Sequence, residues 1–194
     1  MAARMKGDAR RSQILDAALA IVHADGIHSL TLREISDRVG VSEAALFRHF
    51  KSKEDIVDSL ASLVFEDNQF FPHGEGPWEA MENMMKWQLE NFQRNPMHTS
   101  ILFQEDIFRE FPSVKERFDL RRSSRSSLIS QLIREGKASG AFSSNVDAES
   151  FSLLFMGGLR LAVLEWRHAG FSYDLREKGP PMLELLRKCL EAEG

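Results

Sequence analysis

Cysteine is almost absent from this chain. The single residue, Cys189, excludes an intramolecular disulfide and fits a reducing cytoplasm. Long apolar runs are missing too. A membrane helix needs ~18 uninterrupted apolar residues, and the longest candidate, Phe151 to Trp166, is broken by Arg160 and Glu165. The N-terminal MAARMKGDARR is basic but has no apolar core after it, so a secretory signal is not expected. The motifs of common enzymes are lacking: no Gly-rich phosphate loop, no serine in a nucleophile elbow, no Cys/His pair at useful spacing. The six histidines show no metal-ligand spacing. The expectation is therefore a protein that is not an enzyme, with no metal, no cofactor and no membrane partner.

What is present is an ordinary globular composition, with 28% charged and 43% hydrophobic residues. At 194 residues the chain is long enough for one domain or for a small domain fused to a larger one. The net charge of −4 opposes nucleic-acid binding as a sum. Its distribution matters more. Residues 1–55 carry nine basic and eight acidic side chains, whereas residues 56–194 carry sixteen and twenty-one. That contrast is compatible with a nucleic-acid-binding head and proves nothing alone.

Helical signals dominate, with no convincing strand alternation and no internal repeat. Ile14, Ala18, Ile21 and Val22 form one helical stripe, and Gly26 follows as a stop. Thr31-x-x-Glu34 is a capping-box pattern opening a second helix, and Gly40 can close it in the left-handed conformation. Ser42 caps a third, and Ser52-x-x-Asp55 opens a fourth through about Phe70. Phe71 to Pro77 reads as a loop. Further helical patterns cover about 78–94, 97–110, 113–137 (capped by Ser113-x-x-Glu116), 147–168 and 180–192. The expected fold is all-α, with about nine helices. A three-helix head would occupy residues 1–55 and a larger helical body residues 56–194.

The segment TLREISDRVGVSEAALFRHFKSKED, Thr31 to Asp55, has the outline of a helix-turn-helix. On its second helix Leu46 and Phe50 define the buried direction. At 100° per residue, Ala44 and Arg48 then point almost opposite, with Ala45 and Phe47 on the flanks. Two exposed alanines allow close approach to a base edge or a thymine methyl. Arg48 and His49 can reach phosphates. Lys53, beside the free N–H groups that open the next helix, favours a phosphate. Arg33 can reach a guanine edge or the backbone.

The string GVSEAALFRHFKSKED resembles the TetR/AcrR family of bacterial transcriptional regulators. Gly40, Val41, Ser42, Leu46, His49, Phe50, Lys51 and Lys53 match its usual pattern, as do Thr31, Ile35 and Val39 upstream. The resemblance covers roughly residues 9–60. It implies DNA contacts at Thr31, Arg33, Ser42, Ala44, Ala45, Phe47, His49 and Lys53. One position departs: the family commonly has tyrosine where this chain has Phe47, which has no hydroxyl to offer a phosphate. Phe47 is left with an apolar contact to DNA or with packing against the first helix.

A single short reading helix covers few base pairs, so a two-fold dimer on a palindromic double-stranded operator is expected. Phe151 to Trp166 is apolar nearly all round, and Gly157-Gly158 sits inside it although each glycine costs about 1 kcal/mol relative to alanine. Close approach of another helix would explain that cost. The expected homodimer interface is Phe151, Leu154, Gly157, Gly158, Leu161, Met182, Leu185, Leu186 and Cys189. The family builds a four-helix bundle from its last two long helices and their partners. A thick monomer core is the alternative.

Twelve of the fourteen phenylalanines and all three tryptophans lie after residue 64. Met84, Met85, Trp87, Gln88, Phe92, Phe103, Phe155, Leu159 and Trp166 are candidate walls of a pocket for a small hydrophobic effector, and each suits a plain core equally well. Arg121, Arg122 and Arg125 read as a solvated face. The resemblance implies a cytoplasmic, nucleoid-associated repressor released from DNA by its effector. The other reading is a nucleoid-bound interaction factor of the same fold without a ligand.

Overall fold

The structure, a computed structural model, describes residues 2–70 and 73–191, with side chains from residue 8. Among them are ten α-helices, three short 3₁₀ turns and no strand, one helix more than the periodicity suggested. The helices are α1 (Ala2–Asp25), α2 (Leu32–Val39), α3 (Glu43–Leu46), α4 (Lys53–Asp67), α5 (Pro77–Arg94), α6 (Thr99–Leu102), α7 (Glu105–Glu110), α8 (Pro112–Ala138), α9 (Ala148–His168) and α10 (Gly179–Leu190).

The additional helix comes from the 97–110 pattern, which is not continuous. After a 3₁₀ turn at Pro96–His98, α6 ends at Leu102 with Phe103 as its cap, and Gln104 takes an extended backbone (φ −105°, ψ 115°) before α7. Periodicity cannot register such a break, because the apolar residues Ile101, Ile107 and Phe108 are buried on both sides of it. The Ser113 cap is also corrected. α8 already starts at Pro112, and the Ser113 hydroxyl donates to the Asp58 carboxylate at 2.8 Å.

The chain forms two compact units. The first comprises Met1–Asp67 with Met97–Arg117. α1 packs on α2, α4 and α6. Ile14, Ala18, Ile21 and Val22 of α1 meet Ile35, Leu46, Phe50, Ile56, Val57, Leu60 and Ile101 in its core, all buried. Each fully buried Leu, Ile or Phe contributes about 1.5–3 kcal/mol, which is what holds helices too short to be stable alone. The first unit therefore does not stop at the expected residue 55. Ile56, Val57 and Leu60 are part of its core, and Arg117 ties back to α4 through the Ser62 hydroxyl (2.7 Å) and the Asp58 carbonyl (3.1 Å).

The second unit comprises Asn68–Pro96 and Phe118–Gly194. Here α5 packs on α9 and α10, with Met81, Met85, Leu89, Ile129, Ile133, Phe155, Val163, Trp166 and Leu183 in the core. Gly136 has a steric reason: a Cβ there would stand 2.0 Å from the Phe142 ring.

Candidate nucleic-acid interface

Local chemistry sets the reading element. The Thr31 hydroxyl accepts from the Glu34 N–H at 3.0 Å and starts α2. Gly40 ends α2 at φ +72°, where its N–H and that of Val41 both reach the Ser36 carbonyl. A left-handed residue at that position costs a non-glycine side chain about 1–2 kcal/mol. The chain therefore turns sharply and restarts at Ser42, whose hydroxyl accepts from the Ala45 N–H at 3.2 Å.

The second helix of the motif is short. α3 ends at Leu46, and the next turn tightens, with Arg48 and His49 bonding to the carbonyls three residues back (3.3 and 2.8 Å). Leu46 and Phe50 are buried as expected. Ser42, Ala44 and Arg48 are exposed, and Ala45 and His49 are half-buried. Phe47 is 54% exposed, so its ring is not consumed by packing on α1. Thr31 and Arg33 are exposed on α2, where Arg33 stands 3.9 Å from Asp37. Exposed i,i+4 pairs of this kind contribute only about 0.3–0.5 kcal/mol, so the guanidinium is available to a stronger anion.

Two residues hold this surface: Arg11, absent from the sequence reading, and Asp55, which the sequence placed in the cap of the fourth helix. Arg11 donates to the His49 carbonyl and to the Ser59 hydroxyl, both at 2.7 Å, and lies 4.1 Å over the Phe50 ring. One side chain thereby joins α1, the end of the reading segment and α4. Asp55 accepts from the Lys51 N–H at 2.8 Å while the Ser52 hydroxyl accepts from the Asp55 N–H at 3.2 Å. This reciprocal cap fixes the start of α4. The Arg11 contact is invisible to periodicity, since it joins residues 38 positions apart along the chain. Lys53, the expected phosphate anchor, is held by Glu110: Nζ lies 2.9 Å from Oε1.

In the second unit Met84, Met85, Gln88, Phe92, Phe155, Leu159 and Trp166 are buried and Trp87 is half-buried, its ring 5.6 Å from that of Phe70. Phe103 belongs to the first unit. Two of these residues spend their polar groups inside the chain. Gln88 donates to Asn68 at 3.1 Å, and the Trp166 indole N–H donates to the Tyr173 carbonyl at 2.7 Å. The arginine run is not the solvated face that its serines suggested. Arg122 is exposed, but Arg125 turns inward and donates to the Asn68 carbonyl. Burial first, and the neighbouring Arg121 second, pull the Arg125 pKa down to about 10.

α9 is not buried all round. Phe151, Phe155, Leu159, Ala162, Val163 and Trp166 face the core, whereas Leu153, Leu154 and Leu161 are more than half exposed, as is Leu185 on α10. Gly157 and Cys189 are exposed; Gly158 and Met182 are half-buried. A Cβ on Gly157 would meet nothing within 4 Å, and one on Gly158 would meet the Met182 methyl at 3.1 Å. Phe151 and Leu186, also expected at the interface, are buried within their own chain.

Among the described residues no three His, Cys, Asp or Glu side chains are grouped to hold a metal ion, and no helix is long and apolar enough to cross a membrane.

A glycine-broken helix pair presenting small and basic residues outward, on an all-helical scaffold, defines a helix-turn-helix DNA-binding protein. Residues 14–60 match the family described as bacterial regulatory proteins, tetR family, and residues 112–189 match the C-terminal region of YsiA-like proteins. The chain belongs to the TetR family of DNA-binding transcriptional regulators. Similar proteins differ in their named roles. The nucleoid occlusion factor SlmA of Vibrio cholerae is 26% identical over 170 residues, covering 84% of this chain and 87% of SlmA. The HTH-type transcriptional repressor KstR of Rhodococcus jostii is 28% identical over 110 residues, 55% of this chain and 52% of KstR. Among solved structures, the transcriptional regulator FadR of Bacillus subtilis, in complex with stearoyl-CoA, superposes with a TM-score of 0.69 at 20% identity, covering 93% of this chain and 99% of FadR.

Proposed function

We propose that the protein is a ligand-responsive repressor that binds a palindromic operator as a homodimer and leaves it when a small hydrophobic effector binds. The observation that carries this reading is the outward surface of α3 and its following turn. Ala44, Phe47 and Arg48 stand clear, with Ala45 half-buried at their flank, while Leu46 and Phe50 anchor the helix beneath them. Ala44 and Ala45 read base edges at close range. Arg33 reaches a base or the backbone. Thr31, Ser42, Arg48, His49 and Lys53 fix the register on phosphates. Phe47 makes an apolar contact with sugar or a thymine methyl.

The exposed leucines of α9 and α10 supply the dimer. Exposed leucines on α9, with an open Gly157 on the same helix, suit the close approach of a second helix. The Met-rich, aromatic interior of the second unit suits a hydrophobic effector. The effector must bind the spacing that DNA rejects better than the spacing that DNA accepts, and the tilt of α4 is the lever. Free in the cytoplasm, the repressor would associate with the nucleoid when bound to DNA.

The match to SlmA over most of its length favours a second reading, a nucleoid-associated factor of this fold without a small-molecule ligand. Selection of bound duplexes from a random pool tests both. A repressor yields one palindrome with half-sites about a helical turn apart, ~34–36 Å, and hydrophobic compounds release it. A pool without two-fold symmetry would sink the operator reading, and a palindrome that no compound releases would favour the second.

A further inference from the structure

The DNA-facing lysine at the start of α4 is not idle in the free protein. Its ammonium is 2.9 Å from Glu110 Oε1 and 5.6 Å from the centroid of the Phe111 ring. Glu110 ends α7, 57 residues further along the chain, and Phe111 caps it. The pair is half-withdrawn from solvent, with 26% of the lysine and 34% of the glutamate side chain exposed. The other carboxylate oxygen of Glu110 lies 3.4 Å from His28 Nδ1, and His28 Nε2 lies 3.9 Å from Asp106. Glu110 is thus fixed between the turn that follows α1 and the start of α4. All these residues belong to the first compact unit.

We propose that Glu110 competes with DNA phosphate for the Lys53 ammonium, so that α7 sets how much of the protein's backbone affinity is available. A lysine already saturated by a carboxylate releases fewer counterions on meeting a phosphate, which flattens the salt dependence as well as weakening binding. A shift of α7 that carries Glu110 away frees the lysine. A shift that brings it closer withdraws a phosphate contact without touching any base-reading residue. The inference rests on the reading of Lys53 as a phosphate anchor.

The test is a double-mutant cycle on the full-length protein, using duplexes of random sequence about 30 base pairs long, enough to span two half-sites one helical turn apart. Non-specific affinity is measured over a salt series, so success does not depend on knowing the operator. Glu110→Gln should bind about two- to fivefold tighter, the range expected for releasing a partly exposed ion pair, and should steepen the salt slope by about one unit. Glu110→Asp keeps the charge but shortens the reach, and should show part of the gain. In a Lys53→Ala background Glu110→Gln should have no effect. The same gain in both backgrounds would mean general charge repulsion and would overturn the proposal, as would an unchanged Glu110→Gln. If Lys53→Ala itself left affinity and slope untouched, the phosphate assignment would fail as well, and the two failures are distinguishable. Unfolding midpoints of all variants confirm that folded proteins are being compared.

Discussion

Phe47 stands where the sequence resemblance leads one to expect tyrosine, and its ring is left 54% exposed. With just over half of its surface open, the ring forms part of the outward face of the reading element. Removing it should leave the first unit intact, because Leu46 and Phe50 carry the packing on either side. Phe47→Ala is therefore expected to weaken DNA binding about threefold or more while changing stability by less than about 0.5 kcal/mol, as for surface substitutions. A titration of duplex DNA together with a thermal melt checks this. A melt lowered by several degrees would return Phe47 to a packing role. Arg11 sits at the opposite extreme. It holds the His49 carbonyl and covers Phe50, so it supports from beneath the segment that carries Phe47.

At the scale of the element, the motif depends on two caps and one glycine. Thr31→Ala removes the acceptor for the Glu34 N–H and should cost about 1 kcal/mol. Gly40→Ala forces a side chain into φ +72° and should cost about 1–2 kcal/mol. Its Cβ would meet no neighbour within 4 Å, so the cost would be backbone strain alone. Denaturant unfolding of both variants separates cap from strain, and an unchanged midpoint for Gly40→Ala would argue against the left-handed turn. α1–α4 were legible because caps and stripes are local, written within four residues of each other. The break at Gln104 and the early start of α8 were not. A six-residue helix such as α7 owes its existence to burial of Ile107 and Phe108, which no local pattern announces.

Across the whole molecule, the two compact units partition the chain differently from a simple cut at residue 55. The unit with the reading head also contains α6, α7 and the first turns of α8, so residues far along the chain lie beside its start. This places Glu110 next to Lys53. The other unit exposes Leu153, Leu154, Leu161 and Leu185. If these leucines form the homodimer, Leu161→Glu should convert it to a monomer, because a charge at the centre of an apolar interface is left unpaired. Light scattering at micromolar concentration should then show about half the mass, with operator binding lost and helicity retained. A Leu161→Glu protein that remained dimeric would exclude this face.

The sequence by itself determined the helical class, the caps and glycine of the reading motif, the outward position of Ala44 and Arg48, and membership of the family. All of these rest on interactions between residues a few positions apart, where helix geometry alone fixes the neighbours. Tertiary structure decided the rest. It assigned Phe151 and Leu186 to their own core and Leu153 to the outside, turned Arg125 inward onto the Asn68 carbonyl, and brought Arg11 to His49 and Glu110 to Lys53. Each of those outcomes depends on which helix face meets which. That choice is made by burial summed over the fold, and no window of sequence contains it.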